Sequence, residues 1–221
     1  MMDFRKFYYR NMTTCLAIIS VAYLSACAPL HNELISDSKL TPHGTGTPVL
    51  AAAETEAVAT RALDSADDPE IWVDSKDSSR ALIYATDKKA GLYVYDLTGK
   101  QVQFLSVGPM NNVDLRSSLA IEGLPETVVA VSDRVKGVAA LFKRDPVTLQ
   151  TSFWGFVPMP TSEAYGFCMG VTKSNQLTFV LVGKNGDVTQ SVITSENGQP
   201  KATVVRQFAV GTQSEGCVAD D

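Results

Sequence analysis

Thr86-Asp87-Lys88-Lys89-Ala90-Gly91-Leu92 recurs without gaps as Ser132-Asp133-Arg134-Val135-Lys136-Gly137-Val138, and Gly183-Lys184-Asn185-Gly186 restates the theme about 50 residues later. Each copy sets a cation just before a turn glycine, between apolar runs. A second series opens each unit: Asp67-Asp68, then Asn111-Asn112-Val113-Asp114, then Tyr165-Gly166-Phe167, then Glu215-Gly216-Cys217. The separation between the two series is similar in each unit, taken from Asp67 to Lys88, Val113 to Arg134 and Tyr165 to Lys184. Self-similarity at roughly 45–50 residues, built from four short strands, is the signature of a propeller blade. Equivalent positions of successive blades then face one another around a central axis. The pattern therefore predicts a ring of acidic or polar groups beside a ring of cations.

The runs between these motifs support an all-β chain. Ala81–Tyr84, Leu92–Tyr95, Thr127–Val131, Leu177–Val182 and Ala202–Phe208 are short and apolar and are bounded by Gly, Asn, Asp and Lys. Thr98-Gly99 and Asn185-Gly186 read as hairpin turns. No long segment keeps a helical period. Three full units fit between Asp64 and Gln213, and a fourth begins at Glu215 and stops at Asp220-Asp221. The expectation is thus three blades plus the start of a fourth.

The first unit opens on Asp64-Ser65-Ala66-Asp67-Asp68-Pro69-Glu70-Ile71-Trp72. Pro69 disfavours helix at Asp68 and pushes the chain to extended geometry, so the carboxylates are expected in a fixed loop just before a buried strand. Such a cluster repels itself unless a cation, most simply Ca²⁺, sits among its oxygens. A solvated acidic turn is the plainer alternative, and recurrence of the segment favours the cation.

At 221 residues the chain suits one domain, and its 45% apolar content is that of a globular protein. The N-terminus reads differently. Arg5, Lys6 and Arg10 precede a short apolar run from Leu16 to Tyr23, and Leu24-Ser25-Ala26-Cys27 matches the processing site of bacterial lipoproteins. The expected division is a signal segment at 1–26, a flexible tether at 27–50 rich in Thr, Pro, Gly and Ser, and the partial propeller at 51–221. Cys27 would carry lipid, and Ala28 after it favours the outer membrane of the bacterial envelope over the inner.

Removing Arg5, Lys6, Arg10 and Asp3 with the signal leaves 16 basic and 23 acidic side chains. So acidic a domain excludes nucleic acid as a natural partner. Cys168 and Cys217 are then the two cysteines left in the domain, and an oxidising compartment permits a disulfide between them. Zinc is not supported, because His31 and His43 both lie in the tether.

Carboxylates that hold Ca²⁺ beside Lys and Arg suggest a phosphate-ester site. The metal would polarise phosphoryl oxygens and acidify an attacking water, while Arg and Lys hold the phosphate. At this point a family can be named. Asp67-Asp68-Pro69-Glu70-Ile71-Trp72-Val73-Asp74 resembles the opening motif of the β-propeller phytases, the alkaline calcium-dependent 3-phytases. So do Lys88 through Lys100, Asn111 through Arg116, Glu163 through Phe167 and Ser214 through Asp221. The resemblance runs from about Ala51 to the last residue.

The resemblance implies a six-bladed propeller that releases phosphate from phytate or calcium–phytate, using bound Ca²⁺ and water. It implies Asp67, Tyr165 and Glu215 as calcium ligands, with Glu54 as a further one. Lys88, Arg134 and Lys184 match its phosphate-holding cations, with Lys89 beside them. For the cations the alternative is a solvated strand end, and for Tyr165 a core aromatic. Asn185 stands where the family usually has a carboxylate, so it offers a neutral amide oxygen there. A second function class stays open: a propeller fragment that at most binds Ca²⁺ or phosphate. Open blade edges would also favour self-association.

Overall fold

The computed structural model describes residues 49–61 and 64–220. The signal segment, Cys27 and the tether up to residue 48 lie outside the described residues. Among the described residues, the domain that starts at Leu50 holds twelve strands in three four-stranded antiparallel sheets, each in simple sequence order. The first blade comprises β1 (Ala66–Trp72), β2 (Leu82–Asp87), β3 (Gly91–Asp96) and β4 (Gln101–Leu105). The second comprises β5 (Met110–Arg116), β6 (Val128–Asp133), β7 (Val138–Arg144) and β8 (Thr151–Pro158). The third comprises β9 (Ala164–Val171), β10 (Leu177–Gly183), β11 (Asp187–Glu196) and β12 (Gln199–Ala209). This is the blade arrangement of a propeller, as the repeats predict. One short 3-10 turn at Ser78–Arg80 joins β1 to β2.

Two details differ from the sequence reading. Asp67, Asp68 and Pro69 lie within β1 rather than in a loop before it, and β1 is only partly buried, with Ile71 exposed and Trp72 buried. Pro69 is tolerated because β1 lies at the edge of its sheet, paired with β2 alone among the described residues, and a register irregularity separates Ala66 from Pro69. The second difference is at the far end of the chain. Residues 210–220 form no strand: Val210 bonds back to Gly186, and the segment then reaches β9 at Glu215 and at Cys217, which is bonded to Cys168.

The hairpins obey local chemistry. Lys88, Arg134 and Lys184 follow the last residue of β2, β6 and β10, and the glycines at 91, 137 and 186 all have positive φ. In the first two turns a buried aspartate organises the backbone. Asp87 Oδ1 accepts the Lys89 N–H at 2.8 Å, and Asp133 Oδ1 accepts those of Val135 and Lys136 at 2.8 and 3.0 Å.

Two cores lie between blades. One packs Tyr84, Leu92 and Val94 of the first blade against Val113, Val129 and Phe142 of the second. The other packs Val128, Leu141 and Trp154 of the second against Phe167, Met169 and Phe179 of the third. Each fully buried aromatic or branched side chain contributes about 1.5–3 kcal/mol, so blade contacts supply most of the stability. Polar ties add register. Asp68 Oδ2 accepts the Val113 N–H at 2.9 Å, and Asp114 Oδ2 accepts the Met169 N–H at 2.7 Å. At the opposite end the Arg144 guanidinium lies 3.5 Å from the Trp72 ring centre.

Candidate functional site

Register defines which residues are equivalent. Ala66 faces Asp87, Met110 faces Asp133 and Ala164 faces Gly183, each at the hairpin that carries a cation. Asp67, Asn111 and Tyr165 are therefore the matching positions of the three inner strands. Sequence spacing alone selects Val113 for this series. It belongs two residues further on, beyond the irregularity between Met110 and Val113, and it is buried in the first interblade core. Asn111 takes its place. That residue is buried and donates from Nδ2 to the Tyr165 carbonyl at 2.9 Å, which links two members of the series directly.

The cations lie on the same rim. Lys88 N–H donates to the Ser65 carbonyl and Lys184 N–H to the Glu163 carbonyl, both at 2.8 Å, so the two turns are anchored in the same way to the residue preceding an inner strand. Their side chains are not idle. Lys88 Nζ stands 2.9 Å from both Asp64 Oδ1 and Asp67 Oδ1 and is only 13% exposed. These carboxylates raise the Lys88 pKa, Asp64 first, and Lys88 in turn lowers that of Asp64. Arg134 Nη2 meets Glu163 Oε1 at 2.6 Å, while Lys184 Nζ approaches Glu163 Oε2 at 3.5 Å. Arg134 holds the Glu163 carboxyl below its usual range. Asp64 and Glu163 are thus the counterions of these cations, a pairing that the acidic opening stretch and the Glu163–Phe167 motif do not announce in the sequence. Glu163 stands immediately before β9, whereas Asp64 stands two residues before β1.

Further carboxylates gather around Asp67, the partner of Lys88. A cleft of about 460 Å³ is lined by Asp67, Asp68, Glu70, Asp114 and Glu215 together with the Cys168–Cys217 pair. Asp67 and Glu215 are thus brought to one cleft. Glu215 arrives there because its segment runs against β9 so closely that a Cβ on Gly166 would stand 1.9 Å from the Glu215 carbonyl oxygen. Burial raises the Asp68 and Glu70 carboxyls above their ordinary range, reinforced at Asp68 by Asp67 and at Glu70 by Asp114.

The remaining two residues are placed apart. Tyr165 is half-buried rather than a core aromatic, with its ring 5.7 Å from Lys184 Nζ. Glu54 is exposed, and its backbone lies against the Gly99 turn between β3 and β4. That turn is at the opposite end of the first blade from Lys88, so Glu54 does not join Asp67.

The cleft fits a hard cation in part. Asp67 Oδ2 is buried and has no hydrogen-bond partner among the described residues, and the carboxylates that line the cleft, with the Asn112 amide beside them, offer the hard oxygens Ca²⁺ prefers. Asp67 and Glu215 can supply such oxygens. Among the described residues, no three acidic, His or Cys side chains converge closely enough to enclose an ion by themselves.

A family model described as Phytase matches residues 14–221. The chain is 36% identical over 181 residues to a curated 3-phytase of Bacillus subtilis (strain 168), covering 78% of this chain and 47% of that relative. The chain therefore spans about half the length of the curated relative it matches. Among solved structures, it is similar to a periplasmic gluconolactonase of Pseudomonas aeruginosa, with 16% identity, a TM-score of 0.49, and coverage of 66% of this chain and 40% of the other. A putative 6-phosphogluconolactonase from Bacteroides fragilis NCTC 9343 gives 13% identity, a TM-score of 0.43, and coverage of 65% and 39%. Likeness at that level says nothing about chemistry.

Proposed function

The chain belongs to the phytase family, and from that membership we propose that it acts on phytate as a calcium-dependent phosphomonoesterase of the 3-phytase type. The observation that carries this reading is the convergence of Arg134 and Lys184, from turns of adjacent blades, on the two oxygens of one carboxylate. A rim that gathers two cations around one anion is suited to a phosphoryl group. Arg134 would hold it through its fork and Lys184 as a point charge, with Lys88 the third cation of the series. Asp67 and Glu215 would hold Ca²⁺ in the acidic cleft, and Tyr165 beside Lys184 would orient the bound ester. Ca²⁺, when bound, supplies positive charge that neutralises and polarises phosphoryl oxygens.

The test is phosphate release from phytate by the full chain, first with Ca²⁺ and then with a chelator. Release that disappears on chelation supports the reading; a folded chain that releases none refutes hydrolysis. A second reading, binding of Ca²⁺ or phosphate without turnover, is favoured by the incomplete enclosure of an ion among the described carboxylates. Titration with each ligand separates it from inert protein.

The same proposal includes the division into signal segment 1–26, tether 27–50 and propeller domain 51–221, with lipid on Cys27 and an outer-membrane location. The mass of the mature N-terminal peptide tests the lipid, since an unmodified Met1 or Cys27 contradicts it. Self-association through open blade edges is tested by sedimentation.

A further inference from the structure

The contact at Glu163 has a consequence for how the rim would choose its ligand. Its backbone is fixed, because its carbonyl accepts the Lys184 N–H at 2.8 Å and the next residue, Ala164, is buried at the start of β9. Its side chain is 42% exposed, with one oxygen on Arg134 at 2.6 Å and the other near Lys184 at 3.5 Å. A carboxylate in that position presents two oxygens to two cations, as two oxygens of a phosphoryl group would. Lys88 offers a contrast. It is clasped by two carboxylates and largely enclosed, whereas Arg134 and Lys184 share one exposed partner.

We propose that Glu163 is a placeholder anion, which occupies Arg134 and Lys184 in the resting protein and is displaced by a phosphoryl group. The proposal rests on the reading of these cations as a phosphate site. Exposed ion pairs are weak, so the carboxylate yields readily to a stronger anion. A dianionic phosphoryl group forms charge-assisted bonds to the guanidinium fork and carries twice the charge. Monoanions such as carboxylates gain nothing over the resident side chain. Glu163 thereby selects phosphate esters, at the expense of some affinity for them.

The experiment titrates inorganic phosphate into the full chain and into its Glu163→Gln, Glu163→Ser and Arg134→Ala variants, with folding checked by circular dichroism. Removing the competing charge is expected to tighten phosphate binding roughly three- to tenfold in both Glu163 variants. Excess acetate should weaken phosphate binding more in Glu163→Gln than in the unaltered chain. Phosphate binding that is unchanged or weaker in both Glu163 variants overturns the placeholder. If Arg134→Ala still weakens binding in that case, the phosphate site itself survives. If Arg134→Ala leaves binding unchanged, the site and the placeholder fall together.

Discussion

Cys168 in the inner strand of the third blade is bonded to Cys217, 49 residues on, and it holds the register position that Asp114 holds in the second blade. Asp114 pairs with Ala130 and Cys168 with Val180, each three residues before its hairpin. From that position Asp114 reaches sideways to the Met169 N–H of the next inner strand. The third blade makes the corresponding sideways link covalently, to the segment that carries Glu215.

Breaking that link should therefore loosen the Glu215 segment first. Cys217→Ser is expected to lower stability by about 2–4 kcal/mol, the usual effect of a disulfide closing a long loop. Urea unfolding of the oxidised chain, the reduced chain and the variant measures it. Coincident curves for all three would mean that the bond constrains nothing.

Much of this was legible in the residues, for identifiable reasons. The hairpins announce themselves because a tight turn needs positive φ, which Gly91, Gly137 and Gly186 supply, and because Asp87 and Asp133 cap the turn amides. Register was less legible. Backbone irregularities at the start of β1 and β5 shift the count, so spacing selected Val113 where pairing selects Asn111. The counterions were hidden for a different reason. Arg134 and Glu163 belong to different blades, 29 residues apart, and only the packing of one sheet on the next brings them together. Glu54 shows the converse, since a motif match placed it with Asp67 and the chain path sets it beside the Gly99 turn.

The sideways carboxylate of the second blade invites its own test. Asp114 accepts the Met169 and Leu115 N–H groups and pairs with Arg116 at 2.8 Å. Asp114→Ala leaves the Met169 amide without its acceptor, at a cost of about 1–3 kcal/mol. Asp114→Asn retains an acceptor and should recover part of that loss. Equal denaturant midpoints for both variants and the unaltered chain would show that the link between the second and third blades is packing alone.

Acid stability follows from turn carboxylates remote from the cleft. Asp77, Asp96 and Asp145 all lie below the ordinary 3.8, held there chiefly by the Ser79 hydroxyl, the Thr98 hydroxyl and the Thr148 N–H respectively. A depressed native pKa means that the unfolded chain takes up protons first. The stabilisation is complete above 3.8 and is lost as pH falls through the lower native values. A triple Asp→Asn variant at these positions keeps acceptors that do not titrate. Its unfolding midpoint should fall less steeply from pH 4 to about pH 2 than that of the unaltered chain. Parallel slopes would remove these turns from the acid response.

The position of Glu215 depends on a residue with no side chain. Gly166 follows Tyr165 in β9, and the Glu215 carbonyl occupies the space where a Cβ would be, 1.9 Å away. No flexible group can yield there, because the contact is with backbone. Gly166→Ala should leave the interblade cores intact, since they are built from Phe167, Met169 and their partners rather than from residue 166. It should push the 214–217 segment off the strand and carry Glu215 out of the cleft that holds Asp67. Calorimetric titration with Ca²⁺ is expected to show binding weakened at least severalfold. Disulfide mapping should also show less complete Cys168–Cys217 pairing. Unaltered calcium binding with the cysteines still joined would mean that the segment finds its place without Gly166, and that Glu215 is held by the disulfide alone.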